Sequence, residues 1–162
     1  MSEHQRGAVA VKPFSVDFDV QGHPKPQARP RAFARKTKDG GAVARVYDPG
    51  TAEKWKSDIV LAGKDSRPAS PLQGCIHVSI RFWMPRPKRL MREKDPDGAV
   101  FHDKKIDLDN LVKAILDALT TNGWWRDDSQ VCRLTAEKMY HAKTGSAGAE
   151  IAIAEVDPIP PF

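Results

Sequence analysis

One nine-residue run constrains the fold of this chain more than any other. Ile76, Val78, Ile80, Phe82 and Met84 alternate with His77, Ser79, Arg81 and Trp83. In an extended backbone that alternation makes one face wholly apolar and the other mixed, so the run predicts a strand with one buried face. A second pattern is helical. From about Asn110 to Thr121, Leu111, Ile115 and Leu119 recur at helical spacing with Val112 and Leu116 beside them, and Gly123 follows as a stop.

The other elements fall into place around these two. Phe14, Val16, Phe18 and Val20 alternate with Ser15, Asp17 and Asp19, which predicts a further strand. Thr51 to Lys64 predicts a helix capped by Asp48 or Thr51, with Trp55 and Ile59 on one face. A short extended piece is expected around Lys105 to Leu108, and final strands over Val131–Tyr140 and Ala149–Val156. Arg29 to Val46 is basic and contains glycines, and reads as an exposed loop with at most short strand pieces. Pro85 to Val100 reads as a long basic loop. The order strand, helix, strand, helix, strand, strand predicts an α/β (α+β) fold. It has a small mixed sheet of about four strands and two main helices. Residues 1–12 read as a mobile leader, 13–156 as a single domain and 157–162 as a loose Pro-rich tail.

A length of 162 residues allows one modest core. No apolar stretch approaches the roughly 20 residues of a membrane span, and Met1 to Val11 lacks the pattern of a secretory signal. Cys75 and Cys132 are then expected as reduced thiols of a cytoplasmic protein. The net charge is +5, which favours an anionic partner, nucleic acid first. Arg29, Arg31, Arg35, Lys36, Lys38 and Arg45 crowd one segment, and Arg86, Lys88, Arg89, Lys104 and Lys105 lie in or after the second loop. Within this basic chain Asp107, Asp109, Asp117, Asp127 and Asp128 form a compact acidic set, and a bound cation is one explanation.

Asp107-Leu108-Asp109-Asn110 carries the most chemical information. In an extended backbone, residues two apart point the same way, about 6.5 Å apart. Asp107 and Asp109 would then converge on one face, where a hard divalent ion such as Mg²⁺ or Mn²⁺ relieves their repulsion. The plainer alternative is that Asp109 caps the helix, which leaves Asp107 unexplained. Lys113 and Asp117 share a helix face with Asp109. Because helical side chains lean toward the N-terminus, Lys113 is expected to aim at Asp107 and Asp109, where its ammonium would meet a scissile phosphate. An ordinary surface ion pair with Asp109 or Asp117 is the alternative. Asp127 and Asp128 follow the helix stop and could fold back beside the helix start, or serve as turn residues.

At this point the chain resembles a known family. Lys105 to Val131, KIDLDNLVKAILDALTTNGWWRDDSQV, is similar to the signature of RusA-type Holliday-junction resolvases. That signature combines Asp-x-Asp-Asn-Leu, a Lys four residues after the second Asp, Leu-Asp-Ala-Leu, and a later Asp-Asp followed by Gln. GHPKPQARPR, Gly22 to Arg31, is similar to the Gly-Pro-basic opening of phage-borne members. Ile106 is a departure, since many members have Pro or a basic residue there. The resemblance spans roughly Phe14 to Val156.

It implies a homodimeric, Mg²⁺- or Mn²⁺-dependent endonuclease without a small-molecule cofactor, which cuts four-way DNA junctions at two symmetric positions. It also implies a bacterial cytoplasmic, nucleoid-associated setting and a phage or prophage origin. By motif match the metal-holding and catalytic carboxylates are Asp107, Asp109 and Asp128, Asp127 being a further metal candidate, and Lys113 is the catalytic lysine. Arg29, Arg31, Arg35, Lys36, Arg86, Lys88, Arg89, Lys104 and Lys105 are the expected DNA-binding residues. A broader flap or fork nuclease and a non-catalytic junction-binding protein are the rival readings. Trp124 and Trp125 could stack on junction bases or pack at a helix end, and Cys75 with His77 lacks the second pair that a zinc site needs.

Overall fold

The computed structural model describes residues 13–47, 50–157 and 159, so the expected leader, the capping role of Asp48 and most of the expected tail lie outside the described residues. The strands are β1 (Ser15–Gln21), β2 (Arg31–Lys36), β3 (Ala42–Tyr47), β4 (Ile76–Met84), β5 (Val100–Phe101), β6 (Val131–Tyr140) and β7 (Gly148–Glu155), and the helices are α1 (Glu53–Ala62) and α2 (Leu108–Thr121). Five strands form one sheet in the order β1-β7-β4-β6-β5, while β2 and β3 form a separate hairpin. The β4–β6 pair is parallel and the others are antiparallel, so the sheet is mixed as expected.

The sheet has five strands where about four were expected, and the short strand pieces of the basic segment before α1 pair with each other as a hairpin. The reason is visible in the residues. Ala32, Ala34, Ala42 and Ala44 give β2 and β3 no apolar–polar contrast, so period-two counting passes over them. β5 spans two residues, below the length at which periodicity exists.

β4 behaves as its pattern demands. Ile76, Val78, Ile80, Phe82 and Met84 are all buried, and Arg81 on the opposite face is exposed. The buried face packs with Leu111, Ile115 and Leu119 of α2 and with Trp55 and Ile59 of α1 in one apolar core. Burying each such side chain contributes on the order of 2 kcal/mol. α1 starts after Ala52, which offers no side-chain cap, so the N-cap position falls one residue beyond Thr51.

The C-terminal end of α2 decides where the chain goes next. Gly123 takes φ +80°, a left-handed conformation that glycine adopts without steric cost. The Gly123 N–H donates to the Thr120 carbonyl (3.1 Å) and the Trp124 N–H to the Leu119 carbonyl (3.1 Å). These are the two bonds of a Schellman motif, and they turn the chain sharply back. Trp124 and Trp125 are thereby delivered into the core. Trp125 donates its indole N–H to Thr120 Oγ1 (2.7 Å), so this pair packs at the helix end and offers no face to a base.

Candidate active site

The acidic segment begins with strain. Ile106 has φ +98°, a region costly for a β-branched residue, on the order of 1–3 kcal/mol. The Lys138 ammonium, reaching from β6, donates to the carbonyl of Lys104 (3.0 Å) and to that of Ile106. Asp107 follows in an extended conformation as the N-cap of α2, and its carbonyl accepts from the Leu111 N–H at 3.2 Å. Its carboxylate makes no capping hydrogen bond.

The helix starts at Leu108, two residues earlier than the sequence pattern suggested. Asp109 therefore belongs to the first helical turn, and the expected extended i, i+2 pairing with Asp107 does not hold. Asp109 is not a cap either. Among the described residues its partner is Arg29, with Nη2 4.0 Å from the carboxylate and both side chains largely exposed. Both acids lie at the positive end of the α2 dipole, which favours negative charge there.

Of the two poses expected for Lys113, the structure has the surface ion pair. Its ammonium donates forward to Asp117 (3.2 Å) instead of reaching back to Asp107 and Asp109. The pair is exposed on the Lys113 side and is worth a few tenths of a kcal/mol, so leaving it costs little.

The neighbouring aspartates divide their work. Asp127 Oδ1 accepts from the Ser129 N–H (2.8 Å), and Gln130 Oε1 accepts from the N–H groups of Arg126 (2.9 Å) and Asp127 (3.3 Å), closing a capping box. The bond from the Ser129 backbone holds the Asp127 carboxyl below the usual range. Gln130 Nε2 then donates to the carbonyls of Leu72 (2.9 Å) and Gly74 (3.1 Å), pinning the turn to the rest of the fold. With Asp127 occupied in the turn, Asp128 is the one that lines a groove with Asp109 and Lys113.

This groove, about 630 Å³, runs between α2 and β6, with Leu108, Val112, Leu116 and Leu134 as its apolar walls. Asp107 does not line it. Among the described residues no group of three or more His, Cys, Asp or Glu side chains is gathered tightly enough to hold a metal ion. The donor chemistry is nonetheless that of a hard cation, carboxylate oxygens without thiol or imidazole. Mg²⁺ in particular is bound through one or two carboxylates, substrate phosphates and water, so two acids on one groove fit its habits.

The candidate DNA-binding residues separate into two groups. Arg35 and Lys36 are exposed on the β2–β3 hairpin, Lys88 and Arg89 on a short 3₁₀ turn, and Lys104 and Lys105 just before α2. For Arg31 only the backbone, in β2, is described. Arg86 is a correction. It is buried, and its guanidinium donates to the carbonyls of Leu90 (2.9 Å), Gly98 (2.7 Å), His141 (3.2 Å) and Pro96. Those bonds fold Pro85–Val100 around Arg86, which is therefore withdrawn from any ligand. Glu137 and Glu150 are paired with Arg81 on the open face of the sheet, and Glu155 accepts from the Phe14 N–H (3.1 Å).

Lys138 and Gln130 are the supporting residues that sequence reasoning gave no role. Both act on backbone groups distant in the chain, and no local spacing announces such bonds. No described helix is long and apolar enough to cross a membrane.

The family described as endodeoxyribonuclease RusA matches residues 21–154. The chain is 31% identical over 130 residues to the uncharacterized protein YqaN of Bacillus subtilis, covering 77% of this chain and 87% of that protein. It is 45% identical over 53 residues to the crossover junction endodeoxyribonuclease RusA of Escherichia coli K12, covering 33% of this chain and 42% of that enzyme. The RusA protein of Enterobacteria phage 82 matches to the same extent.

Proposed function

The chain belongs to the RusA family of endodeoxyribonucleases, and from that premise we propose that it resolves four-way DNA junctions by paired, metal-dependent phosphodiester cleavage. One observation carries this reading: Asp109, Lys113 and Asp128, drawn from two separate segments, line a single groove. The named activity of the Escherichia coli and phage 82 relatives supplies the substrate class.

In this reading Asp109 and Asp128, with Asp107 at the helix cap, hold Mg²⁺ or Mn²⁺. The ion would activate water and neutralise charge on the attacking and leaving oxygens. Asp127 stays in its turn and is not a ligand. Lys113 exchanges its weak pair with Asp117 for a phosphate oxygen, where a fixed positive charge stabilises the charge that builds up as the bond breaks. Arg29, exposed beside Asp109, joins the phosphates on that side. Lys88, Arg89, Lys104 and Lys105 bind backbone phosphates and so read shape more than sequence.

A four-way junction has approximate two-fold symmetry, and two cuts are needed to leave ligatable duplexes. A homodimer presents two equivalent sites for that purpose. The exposed apolar side chain of Leu134 on the groove supports such an assembly. The setting proposed is the cytoplasm of a bacterial cell, at the nucleoid, with a phage or prophage gene as the source.

The test is a junction-cleavage assay in Mg²⁺ with the wild type beside Asp109→Asn. The wild type should make paired nicks, and the variant should bind without cutting. A variant that cuts at the wild-type rate, or a wild type that binds but cuts in neither Mg²⁺ nor Mn²⁺, overturns the reading. Equal cutting of flaps and forks would reject junction selectivity.

A further inference from the structure

The β2–β3 hairpin stands apart from the main sheet, and its two strands chiefly contact one another. In an antiparallel ladder, residues directly opposite share a face. Phe33 lies opposite Arg45 and Arg35 opposite Val43, so one face carries Phe33, Arg35, Val43 and Arg45. The other face is built mainly from Ala32, Ala34, Ala42 and Ala44. Lys36 and Val46 complete that second face, and the side chain of Phe33 lies on the first with both Arg35 and Arg45.

That first face is open. Phe33 is 52% exposed and Val43 50%, and with Arg35, Arg45, Lys36 and Lys38 they line a shallow depression of about 410 Å³. Among the described residues none of these cations has a salt-bridge partner; Asp39 is the sole acid between Arg29 and Arg45, against six basic residues. Such a surface complements a polyanion. It opposes a second copy of itself, whose hairpin would carry the same positive charge. An exposed aromatic set among cations is the combination that binds unstacked bases together with their phosphates.

The hairpin also springs from the candidate active site. The Gln27 N–H donates to the Asn110 carbonyl (2.9 Å), and Arg29 reaches Asp109. Phe33 is four residues beyond Arg29, about 13 Å of extended chain. DNA seated at Asp109 is thus within the hairpin's reach.

We propose that the hairpin is a DNA-gripping arm, in which Arg35 and Arg45 bind backbone phosphates and Phe33 stacks on a base left unstacked where strands branch. This rests on the junction-DNA reading above. The test uses the full chain, measuring affinity against salt for a four-way junction carrying 2-aminopurine at the branch point, and for a linear duplex of matching sequence.

Phe33→Ala should weaken junction binding roughly tenfold and remove the 2-aminopurine response, with little change on linear duplex. Phe33→Trp should retain both properties. Arg35→Ala with Arg45→Ala should lower the slope of log affinity against log salt by about 2, at 0.9 per phosphate. Both sets of variants should melt like the wild type. If Phe33→Ala leaves binding and the 2-aminopurine signal intact, or changes only the oligomeric state in sedimentation, the arm is overturned while the nuclease reading stands. A wild type that shows no salt-sensitive junction binding sinks both.

Discussion

The ammonium of Lys138 in β6 donates to the carbonyl of Ile106, the residue held at φ +98° immediately before Asp107. The strained bend and its clamp together set where α2 begins, and with it the placement of Asp107 and Asp109. Lys138→Met should destabilise the fold by on the order of 2 kcal/mol, since it removes hydrogen bonds from a charged donor. It should also reduce cleavage more than DNA affinity. Urea unfolding and single-turnover cleavage check the two parts separately, and unchanged cleavage would show that the clamp does not position the site.

Asp127 and Asp128 should respond oppositely to substitution. Asp127→Ala removes the acceptor of the Ser129 bond and should cost about 1 kcal/mol of stability. Asp128→Ala should leave the melting temperature within the spread of surface variants, about 0.5 kcal/mol, while abolishing cleavage. Thermal melts beside junction assays distinguish them. The reverse pattern would reassign the site.

Arg86→Met should be among the most damaging single changes to stability, on the order of 3 kcal/mol, because the carbonyls it binds lose a buried charged donor. Lys88→Ala and Arg89→Ala, by contrast, should weaken DNA binding with little effect on unfolding. Denaturant midpoints compared with binding isotherms read out the contrast, and an Arg86→Met protein of normal stability would refute it.

His102 makes stability depend on pH. Burial, and then the Lys138 charge, hold its pKa below the ordinary 6.5, with Asp103 acting in the opposite direction. The unfolded chain therefore takes up a proton at a pH where the folded chain does not. This contribution is fully present above about pH 6.5 and is lost as the pH falls through the lowered folded value. His102→Gln should flatten the melting temperature in that window relative to wild type. If the slope persists unchanged, other groups carry it.

The periodicities were legible because they are local. The alternation from Ile76 to Met84 and the Leu111–Ile115–Leu119 stripe each report one buried face, and both faces are buried as the patterns require, although α2 begins two residues before its expected start. The acidic motif was equally legible as a spacing. Its geometry was not, because the helix begins at Leu108 and turns Asp109 away from a strand-like partnership with Asp107.

By itself the sequence determined the mixed sheet with two helices, the acid-rich segments and the basic charge that surrounds them. Only the tertiary structure decided which acid of the Asp127–Asp128 pair faces the groove, that Arg86 is an internal strut and not a ligand-binding cation, and that the basic segment before α1 is a free-standing hairpin. The physical reason is shared. Each of these outcomes depends on hydrogen bonds or on burial among residues far apart in the chain, whereas side-chain periodicity records only which way a residue points within its own element.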